Sequence, residues 1–206
     1  MHLYPNTAED REALDRVTAS LSYSIKTSDH ELQGFQVLPS SVRNGPLATY
    51  STWSLSVPQS ELVHSITHAP NYPIASFGKV LGNRTTLYKY LNQHLFAVTT
   101  VPRLPTSGSC SIYLLDGIKG SIIYHAVVAD KGPCSIEAVL TENWLVYSYY
   151  DNEYAGVGQS KGHRVISVEL YEGNGIDEKT RRFVAFNSSG FCLTIHKQLG
   201  HDFVFQ

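Results

Sequence analysis

Two hydrophobic periods divide the chain. Over Ala8 to Ala19 the sequence AEDREALDRVTA sets Leu14 and Val17 three residues apart among charged side chains, which is the spacing of a narrow apolar stripe on a helix. Thr7 with Asp10 three residues on approximates a capping box, Asp standing where Glu or Gln is usual, and predicts the helix start. A stripe this narrow suits a connecting helix that docks on a larger body. From Ser20 the period drops to two: Leu21, Tyr23 and Ile25 alternate with Ser22 and Ser24, the polar stretch Thr27 to His30 turns the chain, and Leu32 to Leu38 returns as the second strand of a hairpin. A Ser-, Asn- and Pro-rich loop from Pro39 to Pro46 leads to a strand over Ala48 to Leu55 that carries Tyr50 and Trp53. A shorter strand around Leu62 to Ile66 ends at the turn Pro70-Asn71-Tyr72-Pro73.

The rest of the chain is arranged around Ala75 to Asn92, ASFGKVLGNRTTLYKYLN. A glycine turn at Phe77-Gly78-Lys79 and a second turn at Gly82-Asn83 frame short strands, and the aromatic run Leu87-Tyr88-Lys89-Tyr90-Leu91 closes on Asn92 before the apolar stretch Leu95 to Val98. Further on, Ser111 to Leu115 and Ser121 to Val127 flank Asp116-Gly117-Ile118-Lys119-Gly120. This is a hairpin whose turn calls on Gly117 and Gly120 for positive φ and on Asp116 to bond its own backbone.

That pattern recurs. SIYLLDG at Ser111 matches SVELYEG at Ser167, an offset of 56, and LNQHLFAV at Leu91 matches LTENWLVY at Leu140, an offset of 49. The difference of seven falls in a longer loop, Asp151 to Gly162, which is rich in glycine. Repeats of about 50 residues built from short strands with a glycine per hairpin are the mark of β-propeller blades. The strand-Asp-Gly-x-x-Gly-strand unit is similar to quinoprotein-type blades. The expected fold is all-β: an incomplete propeller of two to three quinoprotein-like blades with one short N-terminal helix. One nearly whole blade spans Ile74 to Ala129, a partial one precedes it, and another starts at Ser135 and is cut off after Gly173. A ring closes with about four to eight blades, so two or three form only an arc.

Composition narrows the function. Of 206 residues 42% are hydrophobic and 17% charged, which excludes wholesale disorder. The net charge of −2, from 16 basic and 18 acidic residues without blocks, leaves no electrostatic footprint for nucleic acid. No apolar run approaches the ~20 residues that span a bilayer. The segment Gly78 to Asn83 lacks the GKS/T ending of a phosphate loop, and no serine sits in a GxSxG elbow. Asp116 and Glu172 read as turn residues, and Trp53 and Trp144 as core or blade-interface aromatics. His64 and His68 have metal-ligand spacing only on a helix; on a strand they stand too far apart for one ion, so neither metal nor cofactor is expected.

Cys110, Cys134 and Cys192 are too few for a disulfide framework and lack CxxC spacing. They read first as buried thiols, although Cys110 and Cys134 mark the two ends of a predicted hairpin that an oxidising compartment could bridge. Asn83-Arg84-Thr85 is an N-x-T sequon in a turn, and Asn187-Ser188-Ser189 is a second match. The core-forming strands expected on either side of Asn83 favour an unused acceptor.

GKVLGNRTTLYKYLN, followed by LLDGIKG at Leu114, then ENWLVYSYY and VISVELYEG, resembles the C-terminal region of the subunit 1 family of the endoplasmic reticulum membrane protein complex, where the first segment reads close to GRVLGDRSVLYKYLNPN. The residues that carry the motif are Gly78, Leu81, Gly82, Arg84, Leu87, Tyr88, Lys89, Tyr90, Leu91 and Asn92. The likeness is dense from about Pro73 to Gly173, looser over Met1 to Thr67, and fades after about Thr180. Three segments follow: 1–73, a partial blade with the helix; 74–179, one whole and one partial blade; and 180–206, a tail with no clean period that looks like intron or out-of-frame translation and is expected to pack poorly. The resemblance implies a non-catalytic scaffold in the luminal propeller region, with the other subunits of that complex as partners and transmembrane client proteins served indirectly. Family members carry a signal and a membrane anchor that this chain lacks, which reads as a fragment or a truncated gene. The alternative is a quinoprotein-like propeller enzyme.

Overall fold

Thr7 opens the helix as its neighbours dictate. In the computed structural model its hydroxyl accepts the Asp10 backbone N–H at 3.1 Å while the Asp10 carboxylate accepts the Thr7 hydroxyl and backbone N–H, a reciprocal cap on helix α1, Ala8–Val17. The structure describes residues 7–17, 21–38, 48–70, 73–82, 84–104, 109–129, 134–151 and 162–172, and the backbone of Phe191–Gln198. The chain divides into two compact units, one of Met1–Val57 with Gly117–Ser121 and one of Pro58–Asp116 with Ile122–Gln206. Leu14 of the helix stripe is half-buried, and Val17 is exposed.

In the first unit β1 (Ser22–Ser28), β2 (Glu31–Leu38) and β3 (Ala48–Ser56) form an antiparallel sheet in chain order. The alternation on β1 is real, but its apolar members Tyr23 and Ile25 are the exposed ones, as an edge strand permits. Tyr23 stacks across the strand pair on Phe35 at 5.4 Å. The core of this sheet is Leu32 and Val37, on opposite sides of a bulge that pairs Gly34 with Trp53 and Phe35 with Ser51, leaving Thr52 over.

Trp53 owes its place to two glycines. A Cβ added at Gly34 or at Gly120 would sit 2.0 Å or 2.3 Å from its indole, so the ring lies flat against bare backbone. Its Nε1–H donates to the Gly117 carbonyl at 2.9 Å. Gly120 has a φ of 68°, as the turn chemistry requires; Gly117 does not enter the positive region. Trp53 is half-buried and is held within this unit by a hydrogen bond as well as by packing.

In the second unit two four-stranded antiparallel sheets have the meander of propeller blades, ordered β4-β7-β8-β9 and β10-β11-β12-β13, and a two-stranded ribbon β5-β6 is inserted in the first. The strands are β4 (Glu61–His68), β5 (Gly78–Val80), β6 (Thr86–Tyr88), β7 (Leu95–Pro102), β8 (Cys110–Asp116), β9 (Ile122–Ala129), β10 (Ile136–Thr141), β11 (Trp144–Asp151), β12 (Gly162–Glu172) and β13 (Phe191–Gln198). Every residue from Leu95 to Thr100 and from Cys110 to Asp116 is buried, so these inner strands are covered on both faces and lose the alternation of a half-exposed strand. Leu95, Ile112 and Leu114 of the first sheet pack with Ile136, Leu145, Val168 and Leu170 of the second in one core, and the Tyr124 and Tyr147 hydroxyls bond across it at 2.8 Å. Burial raises the pKa of both phenols.

The sequence repeat is this meander, with two corrections. The first sheet takes its outer strand from Glu61–His68, upstream of Ile74, and the second is not cut off after Gly173: β13 pairs with β12 from Glu172↔Phe191 to Val165↔Gln198. The registers also differ. Leu95 faces Asp116, yet its counterpart Trp144 faces Glu169 rather than Glu172, and β12 is an 11-residue strand where β8 has 7. The side chains of the tail, the glycine-rich loop at 152–161 and the loop at 39–47 lie outside the described residues. His64 is the extra residue of a bulge between β4 and β7, and His68 packs on Phe96 at 5.5 Å.

Candidate functional site

The motif stretch does not form the core it was expected to form. Gly78 pairs with Tyr88 and Val80 with Thr86, so these four share one face of the ribbon, while Leu87 turns to the other and is its only buried large apolar residue. Phe77, Val80 and Tyr88 are 69%, 72% and 56% exposed. Gly78 is needed for close approach, since a Cβ there would lie 2.8 Å from the Leu87 carbonyl oxygen. At the ribbon's turn Leu81 N–H donates to Thr85 O at 2.8 Å, Arg84 N–H donates to Leu81 O at 2.9 Å, and Arg84 takes a φ of 67°. Gly82 has open space where a Cβ would go. Asn83 lies outside the described residues, as does the second sequon at 187–189.

Past Tyr88 the stretch becomes a clasp between the two blades of this unit. Lys89 bridges to Tyr171 of β12, and the Tyr90 N–H donates to Leu170 O at 3.1 Å. The Lys89 ammonium meets the Glu142 carboxylate at 2.7 Å, and Ala75 N–H donates to the same carboxylate at 3.3 Å. Those bonds, Lys89 first and Ala75 second, hold the Glu142 carboxyl below its ordinary pKa. Glu142 sits at a φ of 44° in the tight β10–β11 turn. Next to it the fully buried Asn143 takes the Leu170 N–H on its backbone carbonyl at 2.8 Å and returns its side-chain amide to Leu170 O at 2.9 Å.

Asn92 ends the clasp. Its amide donates to Asp116 Oδ2 and to the Tyr90 hydroxyl, both at 3.1 Å, and its carbonyl oxygen accepts the His94 N–H at 2.9 Å. Burial raises the Tyr90 pKa against the lowering effect of Asn92, and the charges of Asp116 and Glu172 push it up further. A cavity of about 220 Å³ opens beside the clasp, lined by Ala69, Pro70, Ile74, Leu91, His94 and Glu142 among others. Asn92→Ala is expected to cost about 1–3 kcal/mol, because nearly buried Asp116 loses a donor and the motif loses its anchor. Asn92→Asp, which sets a second carboxylate beside Asp116, is expected to cost more; urea unfolding of the three proteins checks the order.

Thus the structure gathers Lys89, Tyr90, Asn92 and Asp116 at one seam and separates from them Gly78, Gly82, Arg84 and Tyr88, which belong to the ribbon. Leu81 and Leu91 are half-buried connections. Glu142, Asn143 and Leu170 are the partners that sequence reading missed. A second buried polar knot was missed as well: Glu61 accepts hydroxyls from Thr100 at 2.5 Å, Ser109 at 2.8 Å and Ser111 at 3.0 Å. Cys110 and Cys134 form a disulfide with Cα atoms 6.1 Å apart, which corrects the reading of three ordinary thiols. Among the described residues no group of three or more His, Cys, Asp or Glu is placed to hold a metal ion, and no helix is long and apolar enough to cross a membrane.

Comparison with known proteins gives this seam its context. The family described as ER membrane protein complex subunit 1, second beta-propeller, matches residues 1–205. The chain is 34% identical over 164 residues to the ER membrane protein complex subunit 1 of Schizosaccharomyces pombe, a match covering 77% of this chain and 16% of that protein. The Xenopus laevis protein of the same name is 31% identical over 73% of this chain and 14% of its own length, and the Gallus gallus one 29% identical over 82% and 16%. The chain spans about a sixth of the length of these relatives. The match through residue 205 also corrects the expectation that the likeness ends near Thr180. With blade-like sheets on one side and a family match from end to end on the other, the chain belongs to the family of the second β-propeller of ER membrane protein complex subunit 1.

Proposed function

We propose that this chain is a non-catalytic scaffold: part of the luminal propeller region of an endoplasmic reticulum membrane protein complex, where it supports the insertion and folding of transmembrane clients. The observation that carries the reading is the match of nearly the whole chain to a propeller whose relatives are named as subunits of that complex. The clasp supports it. Two groups of the family motif, the Lys89 ammonium and the Tyr90 N–H, join the two blades, and the Asn92 amide is held by Asp116 of the first. A luminal position agrees with the Cys110–Cys134 disulfide, since such bonds persist in oxidising compartments. The partners are the other subunits of the complex, with client proteins served indirectly.

The test is co-purification of the full-length protein with other subunits of the complex from detergent-solubilised microsomes. The full-length protein is expected to elute with them as one assembly. A full-length protein that runs as a free monomer and turns over a small substrate would sink the scaffold reading.

A further inference from the structure

We propose that the β5–β6 ribbon is a membrane-contact element, whose Phe77, Val80 and Tyr88 enter the headgroup layer of a phospholipid bilayer while Lys79 and Arg84 meet its phosphates. The inference rests on the membrane complex proposed above and goes beyond it by assigning one surface of this chain to lipid. The first ground is apolar exposure. Val80 and Tyr88 share a face of the ribbon with Gly78 and Thr86, and none of the four carries a charge. Phe77 stands at the base of the same ribbon, where its carbonyl accepts the Lys89 N–H at 3.0 Å, and its ring is exposed like the other two side chains. Grouped exposure of this kind marks an interaction surface, where single exposed apolar residues do not. Two residues of strand separate the level of Val80 from that of Tyr88, about 7 Å, which lies within the ~5–10 Å that interfacial segments enter.

The second ground is charge. Between Glu61 and Asp116 the chain has four basic residues, Lys79, Arg84, Lys89 and Arg103, and no acidic one, although the whole chain carries −2. Spread over that length they make no block in the sequence, but the ribbon collects Lys79 and Arg84 on one small element. Lys89 is neutralised by Glu142. Lys79 and Arg84 are exposed and form no ion pair among the described residues. Unpaired cations beside exposed aromatic and aliphatic side chains, with no carboxylate to be repelled by phosphate, match the chemistry of a lipid headgroup layer. A protein partner fits less well. Two strands of three residues each present far less than the ~800 Å² that each side of a standard protein interface buries, whereas a few side chains suffice for an interfacial contact with lipid.

The experiment uses the full-length protein, purified with the subunits that accompany it and reconstituted in nanodiscs of phosphatidylcholine with phosphatidylserine. An environment-sensitive fluorescent amino acid replaces Val80, with nitroxide-labelled lipid as the quencher from the bilayer and iodide as the quencher from water. The probe is expected to be quenched by the lipid and shielded from iodide. In the Lys79→Gln, Arg84→Gln double variant the contact should weaken roughly 25-fold, about fivefold for each cation removed, so that lipid quenching falls and iodide gains access. A probe open to iodide in the protein with both cations overturns the proposal, as does lipid quenching that the double variant leaves unchanged. A probe shielded from both quenchers overturns it as well, by placing the ribbon under a protein partner. Co-elution of other subunits in the same preparation is scored separately: its failure sinks the scaffold reading whatever the probe shows.

Discussion

Gly120→Ala is expected to destabilise the protein by about 2–4 kcal/mol, for two separate reasons at one position. The residue holds a φ of 68°, which costs a side-chain-bearing residue on the order of 1 kcal/mol. Its new methyl group would lie 2.3 Å from the Trp53 ring, and relieving such an overlap in a packed site costs about 1–3 kcal/mol more. The two terms separate in a double-mutant cycle, since Trp53→Ala removes the ring and leaves the backbone as it was. In that background Gly120→Ala should cost only the backbone part. Gly82→Ala is the control: with nothing within 4 Å of the added carbon it should change stability by less than about 0.5 kcal/mol. Urea unfolding followed by circular dichroism reads all of these. Equal costs of Gly120→Ala with and without Trp53 would show that the indole does not press on the turn.

How far the fold was legible follows from what each signal measures. The helix cap was read correctly because Thr7 and Asp10 act within four residues of chain, where sequence distance and spatial distance agree. The hairpin turn at Asp116 to Gly120 and the period-two strands were legible for the same reason. The pairing of the outermost strands was not, although β4 itself was expected around Leu62 to Ile66. β4 is separated from its partner β7 by the whole ribbon, and β13 lies beyond residues that break any period. Pairing across such distances is decided by packing of the finished sheet, and no local pattern announces it.

The motif shows the limit from the other side. LYKYLN drew attention as an aromatic run and was taken for core, yet Tyr88 is exposed, Tyr90 half-buried, and the specific bonds come from Lys89 and Asn92. Periodicity finds apolar faces. It carries no information about a lysine that meets a glutamate 53 residues away, or an asparagine that reaches an aspartate 24 residues away. Asn143 was equally silent: a fully buried amide in a tight turn looks, in sequence, like any other turn asparagine. One signal was available and passed over. Asp116 occupies the end of a strand whose every other residue is buried, and a carboxylate there calls for a donor; the nearest motif asparagine upstream is Asn92.

Opening the Cys110–Cys134 bridge is expected to cost about 3 kcal/mol. The two residues are 24 apart, and holding a loop of that size closed removes close to that much chain entropy from the unfolded state. The bridge ties the start of β8, where Cys110 is fully buried, to the segment that enters β10, so it fastens the first blade to the second at the side chain as the clasp does at the backbone. Cys110→Ala with Cys134→Ala should therefore lower the urea midpoint by the same amount as reduction of the native protein, and reduction of the double variant should change nothing further. Cys192→Ala, which alters neither cysteine of the bridge, should leave the effect of reductant intact. Non-reducing peptide mapping of protein alkylated before unfolding supplies the direct check, with Cys110 and Cys134 expected in one linked species. Recovery of both as alkylated thiols would show that the blades are held by packing and the clasp alone.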